Sequence, residues 1–189
     1  MKRVYILLAM LLISAASLGA QNKVAIKTNL VHDATLSPNL ALEFGLAPKW
    51  TLDLSAAVNL WDSYGHTYKH IIGQPELRFW TCEKFNGFFI GLHGIGGKVL
   101  DAGNLYNYKW INKKCPNLRE SSIKDALVLG AGLSCGYDVI LARHWNLEFE
   151  LGAGYVYASG KEVKADKTNK AILDYVGPTK LAINLVYLF

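Results

Sequence analysis

Apolar and polar residues alternate with a period of two in run after run of this chain. Leu40, Leu42, Phe44 and Leu46 interleave with Asn39, Ala41, Glu43 and Gly45. After Ala47-Pro48-Lys49 the pattern resumes, with Trp50, Leu52, Leu54, Ala56, Val58 and Leu60 set against Thr51, Asp53, Ser55, Ala57 and Asn59. Neighbouring side chains of a strand point to opposite faces, so each run reads as a strand with one apolar face, and the pair reads as a hairpin. Leu77 and Phe79 repeat the pattern against Gln74, Glu76, Arg78 and Trp80, and so do the runs 127–136, 145–157 and 179–189. A weaker run covers about 23–32, and another, about 87–98, loses its alternation at Ile95. No segment beyond residue 20 carries a useful helical period. The expectation is an all-β chain whose eight strands, mostly of about ten residues, form an antiparallel up-and-down transmembrane β-barrel. Globular strands are mostly about 5–6 residues long, whereas a tilted strand needs about 9–11 to cross a bilayer.

The connections support that reading. Those near 47–49, 82–86 and 139–144 are short, and those near 61–71, 99–124 and 158–176 are long. Short periplasmic turns alternating with longer outer loops are the asymmetry of outer-membrane barrels. The outer loop near 33–38 is shorter than this rule expects. Trp50, Phe79, Phe88, Tyr137, Trp145, Tyr187 and Phe189 fall on the apolar face near the short-turn end, and Tyr155 and Tyr157 lie at the other end of their strand. Aromatic rings are stabilised at the membrane–water boundary, where one edge is wet. A closing strand that ends on Phe189 resembles the assembly signal of outer-membrane barrels.

The N-terminus fits export. Met1-Lys2-Arg3 precedes an apolar stretch from Ile6 to Gly19, with small residues at Ser17, Gly19 and Ala20. This is the pattern of a secretory signal peptide over 1–20, cleaved before Ala20 or Gln21, which leaves 21–189 as the barrel. The stretch is short of the about 20 apolar residues of a spanning helix. Loss of Lys2 and Arg3 leaves 18 basic against 15 acidic residues, a net +3 that is too mild for nucleic acid. Cys82, Cys115 and Cys135 are odd in number and match no metal spacing, and Cys115 is expected in a loop far from the other two, so no disulfide framework is expected.

A soluble lipocalin-like carrier has the same alternation with its faces reversed. Two features oppose it: the polar face is rich in glycine (Gly91, Gly130, Gly132, Gly152, Gly154), which suits a crowded narrow interior, and the apolar face carries almost no charge. With the polar face inside, Lys27, Glu43, Asp53, Arg78 and Glu148 fall at similar depth, Glu76 and Glu150 slightly further in, and Lys180 higher. Buried charges must be paired. The expectation is a charge network that plugs the lumen, with Arg78 at its centre because a planar guanidinium holds two carboxylates.

Other sites carry less. His66 and His70 stand near Asp62, Tyr64 and Tyr68, but no third ligand or orienting carboxylate is set by spacing, and they read as exposed loop residues. His32 and His93 have no fixed partner. Ser63, Ser121, Ser122 and Ser159 occupy no nucleophile elbow, and Gly94-Ile95-Gly96-Gly97 opens no helix. No catalytic residue, metal site or cofactor is expected, and a lipid-modifying enzyme at the rim or a narrow pore remain competing readings. The loop 99–124 mixes aromatic and basic residues: Tyr106, Tyr108, Lys109, Trp110, Lys113, Lys114 and Arg119. It is the interaction candidate, for anionic lipid heads, glycans or a protein partner.

Several segments carry a resemblance. They are Lys27-Thr28-Asn29-Leu30, Gly136-Tyr137, Trp145-Asn146-Leu147-Glu148, Gly152-Ala153-Gly154-Tyr155 and Tyr175-Val176-Gly177-Pro178-Thr179-Lys180. Together with the closing strand, the chain resembles a Bacteroidetes-type family of small eight-stranded, OmpA- and OmpX-like outer-membrane barrels catalogued as a domain of unknown function. The resemblance implies a barrel integral to a Gram-negative outer membrane, in contact with lipid and lipopolysaccharide. It implies no catalytic residues. It also implies a structural or surface-interaction role, accessory to surface fimbriae.

Overall fold

The structure, a computed structural model, describes residues 24–63, 66–102, 122–164 and 167–189. It is all-β apart from one helical turn. The strands are β1 (Val24–Asn29), β2 (Asn39–Ala47), β3 (Trp50–Asn59), the two-residue β4 (Asp62–Ser63), β5 (His66–Trp80), β6 (Gly87–Ala102), β7 (Ser122–Ala142), β8 (Trp145–Lys164) and β9 (Lys167–Leu188), with helix α1 at Leu30–Ala34. β4 pairs only with the start of β5. The other eight strands run antiparallel, each beside its sequence neighbours. Pairing of β1 with β9 and of β3 with β5 closes them into a ring. Closure leaves the ring no unpaired edge, the form in which a sheet satisfies its own backbone groups. No helix among the described residues is long and apolar enough to cross a membrane.

Three sequence expectations change. The strands β5 to β9 are longer than ten residues, at 15 to 22. Much of the expected loops 61–71 and 158–176 is therefore strand, and of 99–124 the described residues 99–102 and 122–124 are strand. β8 and β9 stay in register out to Lys164 opposite Lys167. A ladder needs paired backbone groups rather than alternating side chains, so these extensions leave no period-two trace. The first strand stops at Asn29, where the Asn29 side chain accepts from the Val31 amide and starts α1 as an N-cap. A five-residue helix is too short to print a period. Finally, Ile95 does not break its strand: Phe89, Gly91, His93 and Ile95 all face inward in strict alternation.

The two faces differ sharply. Outward side chains include Leu92, Leu129, Leu133, Leu151 and Leu181, each at least half exposed. Inward side chains stack in layers. At the short-turn end Ala25, Phe85, Val186 and Leu188 form one apolar cluster, with Trp80 and Phe89 buried beside them at a ring separation of 4.8 Å. Toward the opposite end Ile95, Val99, Ala102, Ala126 and Val128 form another. Between them lies a layer of charge.

Candidate functional site

Eight charged residues share the interior: Lys27, Glu43, Asp53, Glu76, Arg78, Glu148, Glu150 and Lys180. Each sits on an inward position of its strand, and each except Lys180 is at most 2% exposed. Lys180 projects from β9 with a side chain 7% exposed. Arg78 stands at the centre. Its Nε donates to Glu76 Oε1 at 2.8 Å, Nη1 to Glu43 Oε2 at 3.0 Å and Glu148 Oε2 at 2.9 Å, and Nη2 to Glu150 Oε2 at 2.8 Å. Asp53 lies 3.8 Å away. The planar fork is spent on four carboxylates, each a charge-assisted bond. The guanidinium lies over Phe89, with Cζ 4.5 Å from the ring centre.

Two ammonium groups flank it. Lys27 Nζ donates to Glu148 at 2.9 Å, pairs with Asp53 at 3.2 Å and touches Glu43. Lys180 Nζ reaches Glu76 and, at 3.1 Å, Glu150. Neutral donors complete the layer: Ser134 Oγ to Glu76 at 3.0 Å and Asn184 Nδ2 to Glu148 at 2.6 Å. Below it Trp80 Nε1 donates to Thr51 Oγ1 at 2.9 Å.

The glycines explain how such bulk fits. A Cβ on Gly91 would collide with Glu76 and Ser134, one on Gly136 with the Phe89 ring, and ones on Gly132 and Gly152 with the His93 ring. His93 therefore lies cradled between Gly132 and Gly152, 1% exposed, with Nε2 2.9 Å from Thr179 Oγ1. This corrects the reading of His93 as a residue without a partner. His70 is corrected too. It is no exposed loop residue but lies on the inner face of β5, 4% exposed, because β5 extends past the expected loop. The side chains of Asp62 and His66 lie outside the described residues, as do Tyr106, Tyr108, Lys109, Trp110, Lys113, Lys114 and Cys115. Cys82 and Cys135 are free and exposed. Among the described residues no three His, Cys, Asp or Glu side chains are arranged to hold a metal ion.

Sequence reasoning did not count five polar residues as members: Ser134, Asn184, Asp138, Asn146 and Thr179. Asp138 and Asn146 are buried inward on β7 and β8, at 1% and 0% exposure, and Thr179 sits at the register shift of β9 against Gly152 and Ala153. Strand parity would have placed Asp138 and Asn146 inside. Thr179 escaped because a bulge reverses parity.

At the far end the charges face out. Lys98 donates to Asp125 at 3.1 Å and holds its carboxyl below the usual carboxylate range. Asp125 takes φ 53° at the break in the β7–β8 register. In α1, burial pushes the His32 imidazole below its usual value, against the pull of Asp33.

Residues 4–189 match the family described as "Protein of unknown function (DUF3575)". The chain belongs to that family. The DUF3575 match takes in every strand of the ring and every residue of the charge layer. No curated protein matches this DUF3575 chain.

Proposed function

We propose that this chain is a transmembrane eight-stranded β-barrel of a Gram-negative outer membrane, with a structural or surface-interaction role and no catalytic one. The outer face carries the proposal. Leu92 pairs with Leu133 and Leu151 with Leu181 across neighbouring strands, at 59%, 63%, 62% and 55% exposure. Soluble proteins rarely expose a contiguous apolar patch beyond a few hundred Å2, and a belt around the whole ring is far larger. Trp50, Phe79, Phe88, Tyr137, Trp145 and Phe189 are all exposed at the short-turn end. Trp145 and Tyr187 pack edge to face at 5.0 Å, as do Tyr187 and Phe189 at 5.1 Å. This is the place and chemistry of an interfacial girdle. A lipocalin-like carrier needs the apolar face inside, where this chain keeps its ions.

The layered interior supports a filled barrel rather than a pore. An eight-stranded ring is about wide enough to be occupied by its own side chains. The export reading of residues 1–20 and the outer-loop reading of 103–120 complete the proposal: a plugged barrel presents its loops to lipopolysaccharide or to a surface partner such as a fimbrial protein. Heat-modifiable migration of protein extracted from outer-membrane fractions tests the barrel. Unboiled protein running faster than boiled supports it, and soluble protein with no shift rejects it. Replacing 103–120 with a Gly-Ser linker tests the role. Loss of partner capture with folding intact supports it, and unchanged capture rejects it.

A further inference from the structure

The ring closes at the level of β1, but β9 runs on past it. β9 stays paired with β8 from Tyr187 out to Lys167, whereas its pairing with β1 covers only Asn184 to Leu188. Among the described residues no strand pairs with that side of β9 beyond Asn184.

Parity identifies the backbone groups that lie there. Ile183 N–H donates to Asn29 Oδ1 and Leu181 C=O accepts from Asn29 Nδ2, each at 3.2 Å, so odd residues turn their backbone toward β1. The bulge at Thr179 inserts one residue and reverses the parity. Beyond it the even residues Lys170, Ile172 and Asp174 turn their N–H and C=O away from β8. Pro178 agrees: it has the same parity, and a strand tolerates proline where the missing N–H faces an unpaired side. Helix α1 does not reach this stretch. Five helical residues span about 7.5 Å, and the strand from Leu181 to Ile172 runs about 30 Å.

An unpaired strand edge is a template for another strand. The side chains select which one. Ile172 is 55% exposed, and Lys170 and Asp174 are exposed on the same face to either side of it. The Tyr155 hydroxyl donates to Asp174 Oδ1 and holds that carboxylate in place. A matching antiparallel strand carries a base opposite Asp174, an apolar residue opposite Ile172 and an acid opposite Lys170. Read from its N-terminus it is base, apolar, acid at every second position. β9 itself reads that way, as Lys170, Ile172 and Asp174.

We propose that the edge of β9 pairs with β9 of a second copy, antiparallel about a two-fold axis at Ile172. Lys170 of each copy then faces Asp174 of the other, and each facing pair exchanges both of its backbone hydrogen bonds. Such an axis stands perpendicular to the sheet. In a barrel upright in a bilayer it lies in the membrane plane, so the two copies sit in membranes that face each other. That last step rests on the transmembrane reading; the pairing does not. The heights agree. From Trp145 to Tyr155 strand β8 rises about 25 Å at the usual tilt, the height of the apolar band. Asp174 opposite Tyr157 and Lys170 opposite Lys161 lie beyond it.

The test takes the full protein in two steps, with heat-modifiable migration checked for every variant. In a C82S/C115S/C135S background in detergent, I172C should give a disulfide-linked dimer on oxidation with copper phenanthroline, because facing Cα atoms about 5.5 Å apart are within disulfide reach. L173C, on the opposite face, should stay monomeric. K170D and D174K should each sediment as monomers and their equimolar mixture should associate, since only the mixture sets opposite charges face to face. A monomer throughout, equal cross-linking at 172 and 173, or association that the charge changes leave unaltered overturns the pairing. In the second step, phosphatidylethanolamine–phosphatidylglycerol vesicles carrying the protein should cluster in light scattering. Vesicles carrying I172P should not, as proline at 172 costs β9 no bond to β8. Protein that cross-links through 172 yet leaves its vesicles dispersed overturns the facing-membrane arrangement, and protein with no heat shift rejects the barrel reading instead.

Discussion

Replacing Arg78 with methionine removes the centre of the charge layer at nearly constant volume. Four charge-assisted hydrogen bonds vanish together, and their carboxylates are left facing only Lys27 and Lys180. Breaking one buried pair by deleting a partner costs about 3–5 kcal/mol. Arg78 serves four acceptors at once, so the upper end of that range, about 5 kcal/mol, is expected. With a urea slope of about 2 kcal/mol/M, the unfolding midpoint should fall by about 2.5 M. The assay is urea titration of protein refolded in detergent or liposomes, read as the fraction of the heat-modifiable gel band. Two companions sharpen it. R78K keeps the charge but brings three donors to four bonds and loses the fork, so its midpoint should fall between the two. R78M combined with E148Q and E150Q removes two of the four stranded charges and should recover part of the loss. If R78M unfolds at the wild-type midpoint, the ion layer does not hold the interior and the reasoning fails.

Three further outcomes follow from the faces. Leu133→Arg, at the middle of the outer belt and 63% exposed, should cost about 2–4 kcal/mol when the protein is folded in liposomes; no cost in a liposome titration would mean that this face meets water. Gly136→Ala forces a methyl group against the Phe89 ring and should cost about 1–3 kcal/mol by overpacking, whereas Gly96→Ala meets nothing within 4 Å and should be neutral, both read by urea titration. In a C115S background, Cys82 in its exposed turn should react with a membrane-impermeant maleimide after reconstitution, and Cys135, flanked by Ile90 and Leu151 on the outer face, should not; equal labelling would contradict the belt.

Parity carried most of what the sequence revealed. The alternation of Leu, Phe and Trp against Glu, Asp, Arg and Lys sorts residues into two faces, and the structure brings the eight charged candidates together on one of them. Parity says nothing of depth. Trp80 and Phe89 share the inner face with Arg78 and Glu76, yet they close the layer from below, and Ile95 and Val128 close it from above. That layering emerges only once the strands are staggered against one another. The long extensions of β7, β8 and β9 were invisible because backbone pairing sustains them without a regular alternation of apolar and polar residues. The placement of His93 was hidden for another reason. The room for its ring comes from Gly132 and Gly152, which lie on other strands far away in sequence.

In the proposed barrel the outer face meets hydrocarbon and the inner face does not. Fluorescence of single-tryptophan variants in vesicles of brominated lipid measures this directly. Trp50 and Trp145, exposed at the aromatic end of the belt, should be quenched, with a depth near the interface. Trp80, fully buried inside the ring, should escape. Strong quenching of Trp80, or no quenching of Trp50 and Trp145 in protein that has bound to the vesicles, would contradict the assignment of the faces.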